Sequence, residues 1–228
     1  MLKFQHFLSI NEAVSKPSVK NRKAKHYFDI DETLFAHDHN KLRVHVKDSS
    51  GRRVRTLTNQ EFNSHQLSPD HSYDFSEFRS SDLFDQSATP IRGMVAKLKA
   101  MKKNGANVEM LTARGDLDDK EKFAQIMGKY GIDITPGSGV HVRRAGNTQG
   151  KPADTKAAHI AGAIEKEGLK EVHLYDDSID NINGMLKLQK KFPDVAFHGH
   201  HVQHDPETGN VKVTRYSATP KEKGSKWC

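Results

Sequence analysis

The strongest constraint on the fold is a regular alternation of strand-like and helical segments from Pro90 onward. Strand-like runs cover residues 107–114, 131–136, 171–177, 195–202 and 211–216, and helical patterns cover 90–105, 116–131, 154–168 and 179–193. Such alternation is typical of βαβ units, whose strands form a mostly parallel sheet with helices on both faces. The pattern therefore predicts a three-layer α/β fold.

The segment after an earlier strand, residues 26–30, interrupts this rhythm. Residues 41–57 alternate on both sides of an Asp-Ser-Ser-Gly turn and predict a β-hairpin, Asn59 begins a short helix, and 64–89 is polar and irregular. A long irregular piece in a compact domain is usually functional, as in a lid. The predicted organisation is an N-terminal peptide and linker (1–25), a core (26–35 and 90–216), a small cap inserted after the first strand (36–89) and a basic C-terminal tail (217–228).

Composition narrows the cellular context and the partners. The single cysteine, Cys228, excludes a disulfide framework and favours a reducing, cytoplasmic location. No run approaches the roughly 18 apolar residues that a membrane span needs, so no membrane partner is expected. The formal net charge of +7 permits an anionic partner: a phosphorylated small molecule, a nucleotide or nucleic acid. Solvated basic tails are the alternative explanation of that charge, and the oligomeric state stays open.

Polar side chains follow the predicted parallel strands at the points where ligands bind in an α/β sheet. They are Asp29 and Asp31 after the first strand, Thr112 and Arg114 after the second, and Asp176 and Asp177 at the end of 171–177, with Lys156 near the start of a helix. Two aspartates at one strand end are also typical of a turn. Together with the other strand ends, they make the set of groups that phosphoryl transfer needs.

These groups belong to four motifs that resemble, in order and spacing, those of the haloacid dehalogenase (HAD) superfamily of phosphotransferases. The motif D-x-D-x-T is matched by DIDET at 29–33, and an apolar run ending in Ser or Thr by VEMLT at 108–112. The motif lysine is matched by Lys156, and the acidic run by VHLYDDSID at 172–180. The resemblance covers about residues 26–197 and implies a Rossmann-like core that uses Mg²⁺ and an aspartyl-phosphate intermediate.

The resemblance also implies a role for each matched residue. Asp29 would be the nucleophile, and Asp31 would protonate the leaving oxygen and later activate water. Thr112 and Lys156 would bind the phosphoryl group, with Lys156 also neutralising charge on the nucleophile. Arg114 would be a second phosphate clamp, and the alternative for it is a solvated or aspartate-paired arginine.

The resemblance also implies Asp29, Asp31, Asp176 and Asp177 as the Mg²⁺ ligands. A set of carboxylates and one backbone carbonyl suits this ion, which prefers oxygen donors. Asp180 competes for this role, since it follows Asp176 at a spacing that is common in the family; its alternative role is a first-turn helix acid stabilised by the dipole.

Two further positions leave the match open. Lys151 competes with Lys156 for the lysine role. Glu32 stands where many family members have glycine.

Histidines form two candidate groups with two interpretations each. The segment HGHHVQH contains His198, His200, His201 and His204, a set typical either of a transition-metal site or of an edge strand. His37 and His39 are either substrate contacts from the cap or parts of a polar loop.

The predicted cap combines basic and aromatic residues, namely Arg52, Arg53 and Arg55 followed by Tyr73, Phe75, Phe78 and Phe84. This combination favours either a surface for nucleotides or nucleic-acid ends, or the small core of the cap itself.

We therefore expect a Mg²⁺-dependent phosphomonoester hydrolase. The alternatives are a phosphatase of nucleic-acid ends and, in another class, a non-catalytic virion or interaction protein that keeps the fold. The N-terminal stretch MLKFQHFLSINEA resembles short targeting peptides of internal proteins of T-even-type tailed phages, with Ile10-Asn11-Glu12 as the cleavage triplet. This second resemblance implies a location in the host cytoplasm or virion interior.

Overall fold

The computed structural model describes residues 7–8, 23–38, 40–137, 140–148, 150–205 and 207–220. Its strands are β1 (Phe7–Leu8), β2 (Ala24–Phe28), β3 (Phe35–His37), β4 (Val44–Lys47), β5 (Arg53–Leu57), β6 (Ser72–Asp74), β7 (Ala88–Pro90), β8 (Asn107–Thr112), β9 (His141–Arg144), β10 (Glu171–Asp176), β11 (Ala196–His204) and β12 (Val211–Ala218). Its α-helices are α1 (Asn59–Ser64), α2 (Ser81–Ser87), α3 (Arg92–Lys103), α4 (Lys120–Lys129), α5 (Pro152–Glu167) and α6 (Ile179–Lys187). Short 3₁₀ helices span Ser76–Arg79, Ala145–Asn147 and Leu188–Lys190.

The central sheet of the described residues has seven strands in the order β1-β12-β11-β10-β2-β8-β9. The strands from β11 to β9 in this order are parallel, whereas β12 pairs antiparallel with β11 and β1 antiparallel with β12. The predicted α/β fold with a mostly parallel sheet is thus confirmed, and it is compatible with a Rossmann-like core. Across the described ranges, no helix combines the length and the apolar character that membrane crossing requires.

Helices cover both faces of this sheet because successive strand residues point to opposite sides. On β2, Phe28 belongs to the buried cluster that contains α3 and α4 residues, whereas Tyr27 belongs to the cluster that contains α5 and α6 residues. Met110 and Leu111 of β8 divide between the two clusters in the same way. The sheet is therefore the middle layer between two helical layers.

A small separate sheet, in the order β5-β4-β6, forms the centre of residues 40–80, called here the inserted lobe. The predicted hairpin is confirmed: the Asp48 carboxylate accepts hydrogen bonds of 3.0 Å from the backbone N–H groups of Ser50 and Arg52 in the turn. The lobe has its own buried cluster of Val44, Val46 and Leu57, with Phe62, Tyr73 and Phe78 packed against it. Tyr73 and Phe78 therefore serve the core of the lobe.

The strand predicted at 131–136 is wrong. The side chain of Asp133 accepts hydrogen bonds from the backbone N–H and the hydroxyl of Thr135, at 2.9 and 2.7 Å. Such local side-chain bonds offer the backbone a turn in place of a strand. The second neighbour of β8 in the sheet, besides β2, is instead β9, which lies inside the segment predicted to be a loop, 136–153.

The stretch 64–89 is also more regular than predicted, since it contains β6, a 3₁₀ helix, α2 and β7. Phe84 of α2 is fully buried in the main core, edge-to-face with Phe35 and Phe123 at 5.4 and 5.1 Å between ring centroids. β3 precedes the inserted lobe in the chain and β7 follows it, and the two strands pair antiparallel with each other. The last part of this stretch therefore packs with the core rather than with the lobe.

Most of the predicted N-terminal peptide and basic tail lies outside the described residues. This applies to the triplet Ile10-Asn11-Glu12 and to residues 221–228. Within the peptide, β1 pairs with β12 so that Phe7 lies opposite Thr214.

Replacement of Gly146 by alanine should destabilise the protein. A Cβ atom there would lie 2.1 Å from the backbone oxygen of Ala113 and 2.6 Å from the carbonyl carbon of Arg114. These are backbone atoms, which cannot move aside as the end of a flexible side chain can. We expect Gly146→Ala to lower the free energy of unfolding by about 1–3 kcal/mol in urea denaturation. Gly162→Ala is the control, because no atom lies within 4 Å of its Cβ position on α5. That change should raise stability by about 0.5–1 kcal/mol, and equal stabilities would contradict the close approach.

Candidate active site

The central strands β10, β2 and β8 are neighbours, and their carboxyl ends bring the predicted residues together. Thr112 and Asp176 are the last residues of β8 and β10, and Asp29 directly follows β2. The backbone N–H of Asp29 donates to the carbonyl of Tyr175 at 2.9 Å, which continues the sheet pairing beyond the end of β2. The parallel register thus places two carboxylates and one hydroxyl at one edge of the sheet.

Lys156 connects two of these carboxylates. Its Nζ atom lies 2.9 Å from Asp29 Oδ1 and 2.7 Å from Asp176 Oδ2, and its side chain is fully buried. The α5 helix begins at Pro152 and carries Lys156 over the end of the sheet. Lys151, the competing lysine, is exposed at the N-terminus of α5. The structure therefore brings Lys156 into the site.

Asp176 is the most fully bonded carboxylate of the group. In addition to Lys156, its Oδ1 atom accepts hydrogen bonds of 2.9 Å from the backbone N–H of Ser178 and from the side-chain amide of Asn181. Asn181 is buried on α6 and was not predicted from the sequence. The signal available for it was a polar residue just after the acidic run, at the start of an amphipathic helix.

Burial and like charges change the protonation of this group. Burial raises the pKa of Asp29 to about 7; Lys156 opposes the rise, and Asp176 and Asp31 add to it. Burial and the Asp176 and Asp29 carboxylates also raise the pKa of Asp177 well above its ordinary value. Burial acts to lower the pKa of Lys156, but the two carboxylates outweigh it, so this pKa is raised. The site carries more negative charge than one lysine neutralises.

Asp31 has a different environment from Asp29. The Arg114 guanidinium donates to both of its carboxylate oxygens, with Nη2 at 2.6 Å and Nε at 2.9–3.0 Å, and His37 Nε2 lies 2.7 Å away. Burial acts to raise the pKa of Asp31, but Arg114 and His37 outweigh it and hold this pKa well below its ordinary value. Asp31 is therefore a paired carboxylate, which matches the aspartate-paired alternative for Arg114.

Arg114 also attaches the inserted lobe to the core. Its Nη1 donates to the backbone carbonyl of Phe78 at 2.7 Å, and its guanidinium lies over the rings of Phe78 and Phe84, 5.1 and 4.9 Å from their centroids. A role as phosphate clamp stays a prediction.

Thr112 and Glu32 complete the loop around the two aspartates. Thr112 is fully buried, and its hydroxyl accepts a hydrogen bond of 3.1 Å from the backbone N–H of Arg114. Glu32 has a φ angle of 52°, in the left-handed region that glycine adopts most readily. Its carboxylate accepts from the backbone N–H of His37 at 3.1 Å, and burial raises its pKa to about 7. This backbone turn separates the environments of the two aspartates.

Three of the four predicted metal ligands come together. A carboxylate oxygen of each of Asp29, Asp176 and Asp177 lies within 4.8 Å of the others. The Asp31 carboxylate does not belong to this group and is bonded to Arg114 instead. Asp180 is exposed on α6 and is also outside the group.

The predicted histidines separate into different places. His37 lies beside Asp31, whereas His39 is outside the described residues. His201 Nε2 donates to the backbone carbonyl of Asp177 at 2.9 Å. His198 and His200 lie with His173 on the sheet face, in a cluster that the sequence did not predict, and His204 ends β11.

No protein-family model matches the chain, and a comparison with curated proteins finds no significant match. The interpretation of the site therefore depends on its own residues.

The raised pKa of Asp29 predicts a specific pH dependence of stability. Between the unfolded-state pKa of about 4 and the folded-state value of about 7, the folded protein holds a proton that the unfolded chain releases. The contribution of Asp29 to the free energy of unfolding should therefore fall as pH rises through this window. Asp29→Asn cannot titrate, so the free energy of unfolding of the wild type should fall relative to that of Asp29→Asn as pH rises, measured by urea denaturation with EDTA present. Asp180→Asn removes an exposed charge and should keep the wild-type slope; an unchanged slope in Asp29→Asn would be inconsistent with the raised pKa.

Proposed function

We propose that the protein is a Mg²⁺-dependent phosphomonoester hydrolase that acts through an aspartyl-phosphate on Asp29. The observation that carries the proposal is the position of Asp29 at the end of β2, where Lys156 Nζ lies 2.9 Å from its carboxylate and the Asp176 and Asp177 carboxylates are close by. A nucleophilic carboxylate, a cation and a set of oxygen donors are the groups that attack on a phosphate requires. The four motifs that resemble the HAD superfamily support the same reaction.

The described residues fit Mg²⁺. Asp29, Asp176 and Asp177 offer oxygen donors, which Mg²⁺ prefers. Burial raises the pKa values of Asp29 and Asp177, and repulsion from neighbouring carboxylates, which a bound cation would relieve, adds to both. When bound, Mg²⁺ would supply charge neutralisation between the anionic nucleophile and the anionic phosphate.

The residues then divide the reaction into two displacements. A carboxylate oxygen of Asp29 attacks phosphorus, the bond from phosphorus to the ester oxygen breaks, and Asp31 gives its proton to the leaving oxygen. In the second displacement Asp31 takes a proton from water, the water oxygen attacks phosphorus, and the bond to Asp29 breaks to release phosphate. Lys156 stays protonated throughout, because its pKa is raised. Thr112 positions the phosphoryl group through its hydroxyl.

The first displacement requires a proton on Asp31, and its pairing with Arg114 opposes this. We therefore include a movement of Arg114 in the proposal. Because the same guanidinium donates to the Phe78 carbonyl, release of Asp31 also loosens the inserted lobe. In this scheme the lobe acts as a cap, whose opening admits substrate and whose closure excludes water.

A surface of the inserted lobe favours a second candidate, a phosphatase of nucleic-acid ends. Arg53 and Arg55 are exposed on β5, an edge strand of the lobe sheet, and Phe75 is 42% exposed. Exposed guanidinium groups and an aromatic ring suit a phosphate backbone and an unstacked base.

Activity assays test the nucleophile and the acid separately. Hydrolysis of p-nitrophenyl phosphate should require Mg²⁺, stop in EDTA and fall to background in Asp29→Asn. Asp31→Asn should lose about 10²–10⁴-fold on an alkyl phosphate, whose leaving oxygen needs a proton, and less on p-nitrophenyl phosphate. Asp180→Asn is the matched control and should keep full activity.

Other outcomes decide against parts of the proposal. Activity that persists in Asp29→Asn would exclude Asp29 as the nucleophile. If folded, Mg²⁺-loaded protein cleaves none of a panel of aryl, sugar, nucleotide and oligonucleotide phosphates, the non-catalytic alternative is favoured.

Salt dependence distinguishes the second candidate. Affinity for a 3′-phosphorylated oligonucleotide should fall steeply with salt, and Arg53→Ala/Arg55→Ala should reduce the log–log slope by about 0.7 for each phosphate that the variant no longer neutralises. The control is Arg92→Ala/Lys103→Ala, which removes the same charge from exposed positions of α3. Equal slopes for the two double variants would argue against a nucleic-acid surface on β5.

A further inference from the structure

A row of polar side chains crosses one face of the central sheet, apart from the Asp29 site. His26, His173 and His198 occupy directly opposite positions on β2, β10 and β11. Glu171 precedes His173 by two residues, so both project from the same face. The rings of His26 and His173 stack with centroids 4.3 Å apart, and those of His173 and His198 are 4.8 Å apart. The proposed phosphatase reaction uses none of these groups.

Three of these side chains bring ligand atoms together. Glu171 Oε1 lies 2.9 Å from His173 Nε2 and 3.5 Å from His198 Nε2, and a ligand atom of each residue lies within 4.8 Å of the others. Tetrahedral zinc, with bonds of about 2.0–2.1 Å, holds its ligand atoms about 3.3 Å apart. The two distances from Glu171 are close to this value, and the third pair of ligand atoms lies within 4.8 Å, so binding requires side-chain movements of about 1 Å or less.

We propose that Glu171, His173 and His198 form a binding site for a divalent transition-metal ion of the Zn²⁺ type. Two imidazoles and one carboxylate are donors that Zn²⁺ accepts, whereas Mg²⁺ prefers an all-oxygen set. The bound ion would connect β10 to β11, with a fourth position left for water. The Glu171 side chain is 30% exposed and provides the access from solvent. This site is independent of the proposed hydrolase function.

The surroundings of His173 support ligation. Its Nδ1 atom lies 3.0 Å from His200 Nε2, a partner that orients the ring while Nε2 faces Glu171. Metal-binding histidines usually have such a partner on the other ring nitrogen. Beside the site, the ring nitrogen Nδ1 of His26 is buried without a hydrogen-bond partner among the described residues.

Arg215 opposes ligation at His198. Its Nη2 atom donates to His198 Nδ1 at 2.9 Å, and because arginine only donates, this nitrogen accepts and the proton of the neutral ring is on Nε2. Metal binding at Nε2 moves that proton to Nδ1, where the Ser217 hydroxyl, 2.9 Å away, can accept it. In the metal-bound state the hydrogen bond from Arg215 is therefore broken.

Titration of the whole protein with Zn²⁺, and with Co²⁺ as a spectroscopic probe, tests the site. In excess Mg²⁺ we expect one site whose Co²⁺ spectrum shows tetrahedral nitrogen and oxygen ligation. His173→Ala and His198→Ala should each weaken binding by more than about 100-fold, and His200→Ala by about 10–100-fold. His204→Ala, on the same strand as His198, and Asp177→Asn, in the carboxylate group, are controls that should bind as the wild type does.

A variant that binds Zn²⁺ more tightly than the wild type is a second test, because misfolding cannot explain a gain of affinity. Arg215→Ala removes the competing donor and a nearby positive charge, so Zn²⁺ should bind more tightly than to the wild type. The proposal is overturned if His173→Ala and His198→Ala bind Zn²⁺ as the wild type does, or if His204→Ala weakens binding equally. It is also overturned if the wild type binds no Zn²⁺, or if Arg215→Ala weakens binding.

Discussion

The buried amino group of Lys156 is the contact on which the carboxylate site depends. Burying two carboxylates without a cation would be costly, because charges lose their hydration in the protein interior. Lys156 lies 2.9 and 2.7 Å from Asp29 and Asp176 and so links α5 to the ends of β2 and β10. One positive charge cannot neutralise both carboxylates and Asp177 as well. Burial raises the pKa of Asp29, the excess negative charge adds to the rise, and the carboxylates together offer a place suited to a divalent cation.

The two aspartates of the DIDET segment show how neighbouring residues of one type acquire opposite properties. Asp29 shares its cation with Asp176, and its pKa is raised to about 7. The planar guanidinium of Arg114 donates hydrogen bonds to both carboxylate oxygens of Asp31. Together with His37, it lowers the pKa of Asp31. The proposed roles need the reverse order, an ionised Asp29 and a protonated Asp31, so they depend on a bound cation at Asp29 and on the release of Asp31 by Arg114. Arg114 also joins this chemistry to the inserted lobe through Phe78.

Sequence reasoning succeeded where the physical rule was local or periodic. Alternating strand and helix patterns predicted the parallel sheet, and the rule that ligands bind at strand ends predicted the neighbourhood of Asp29, Thr112 and Asp176. It failed where tertiary contacts or local side-chain bonds overrode the periodic pattern. An Asp133 side-chain turn replaced a predicted strand, and Phe84, assigned to the cap, packs in the main core. The packing partners of Phe84 are distant in the chain, and the turn at Asp133 depends on local bonds that periodicity does not detect.

The sequence by itself determined the α/β class, the order of most strands along the chain and the polar residues at their ends, because backbone periodicity and side-chain type are properties of local segments. Only the tertiary structure decided which charges pair. Arg114 reaches Asp31 across the site, Lys156 rather than Lys151 enters it, and Asn181 completes the environment of Asp176. The sheet register likewise assembled His173 and His198 from separate strands. Pair energies depend on distance and burial, and the chain acquires both only when its distant segments pack together.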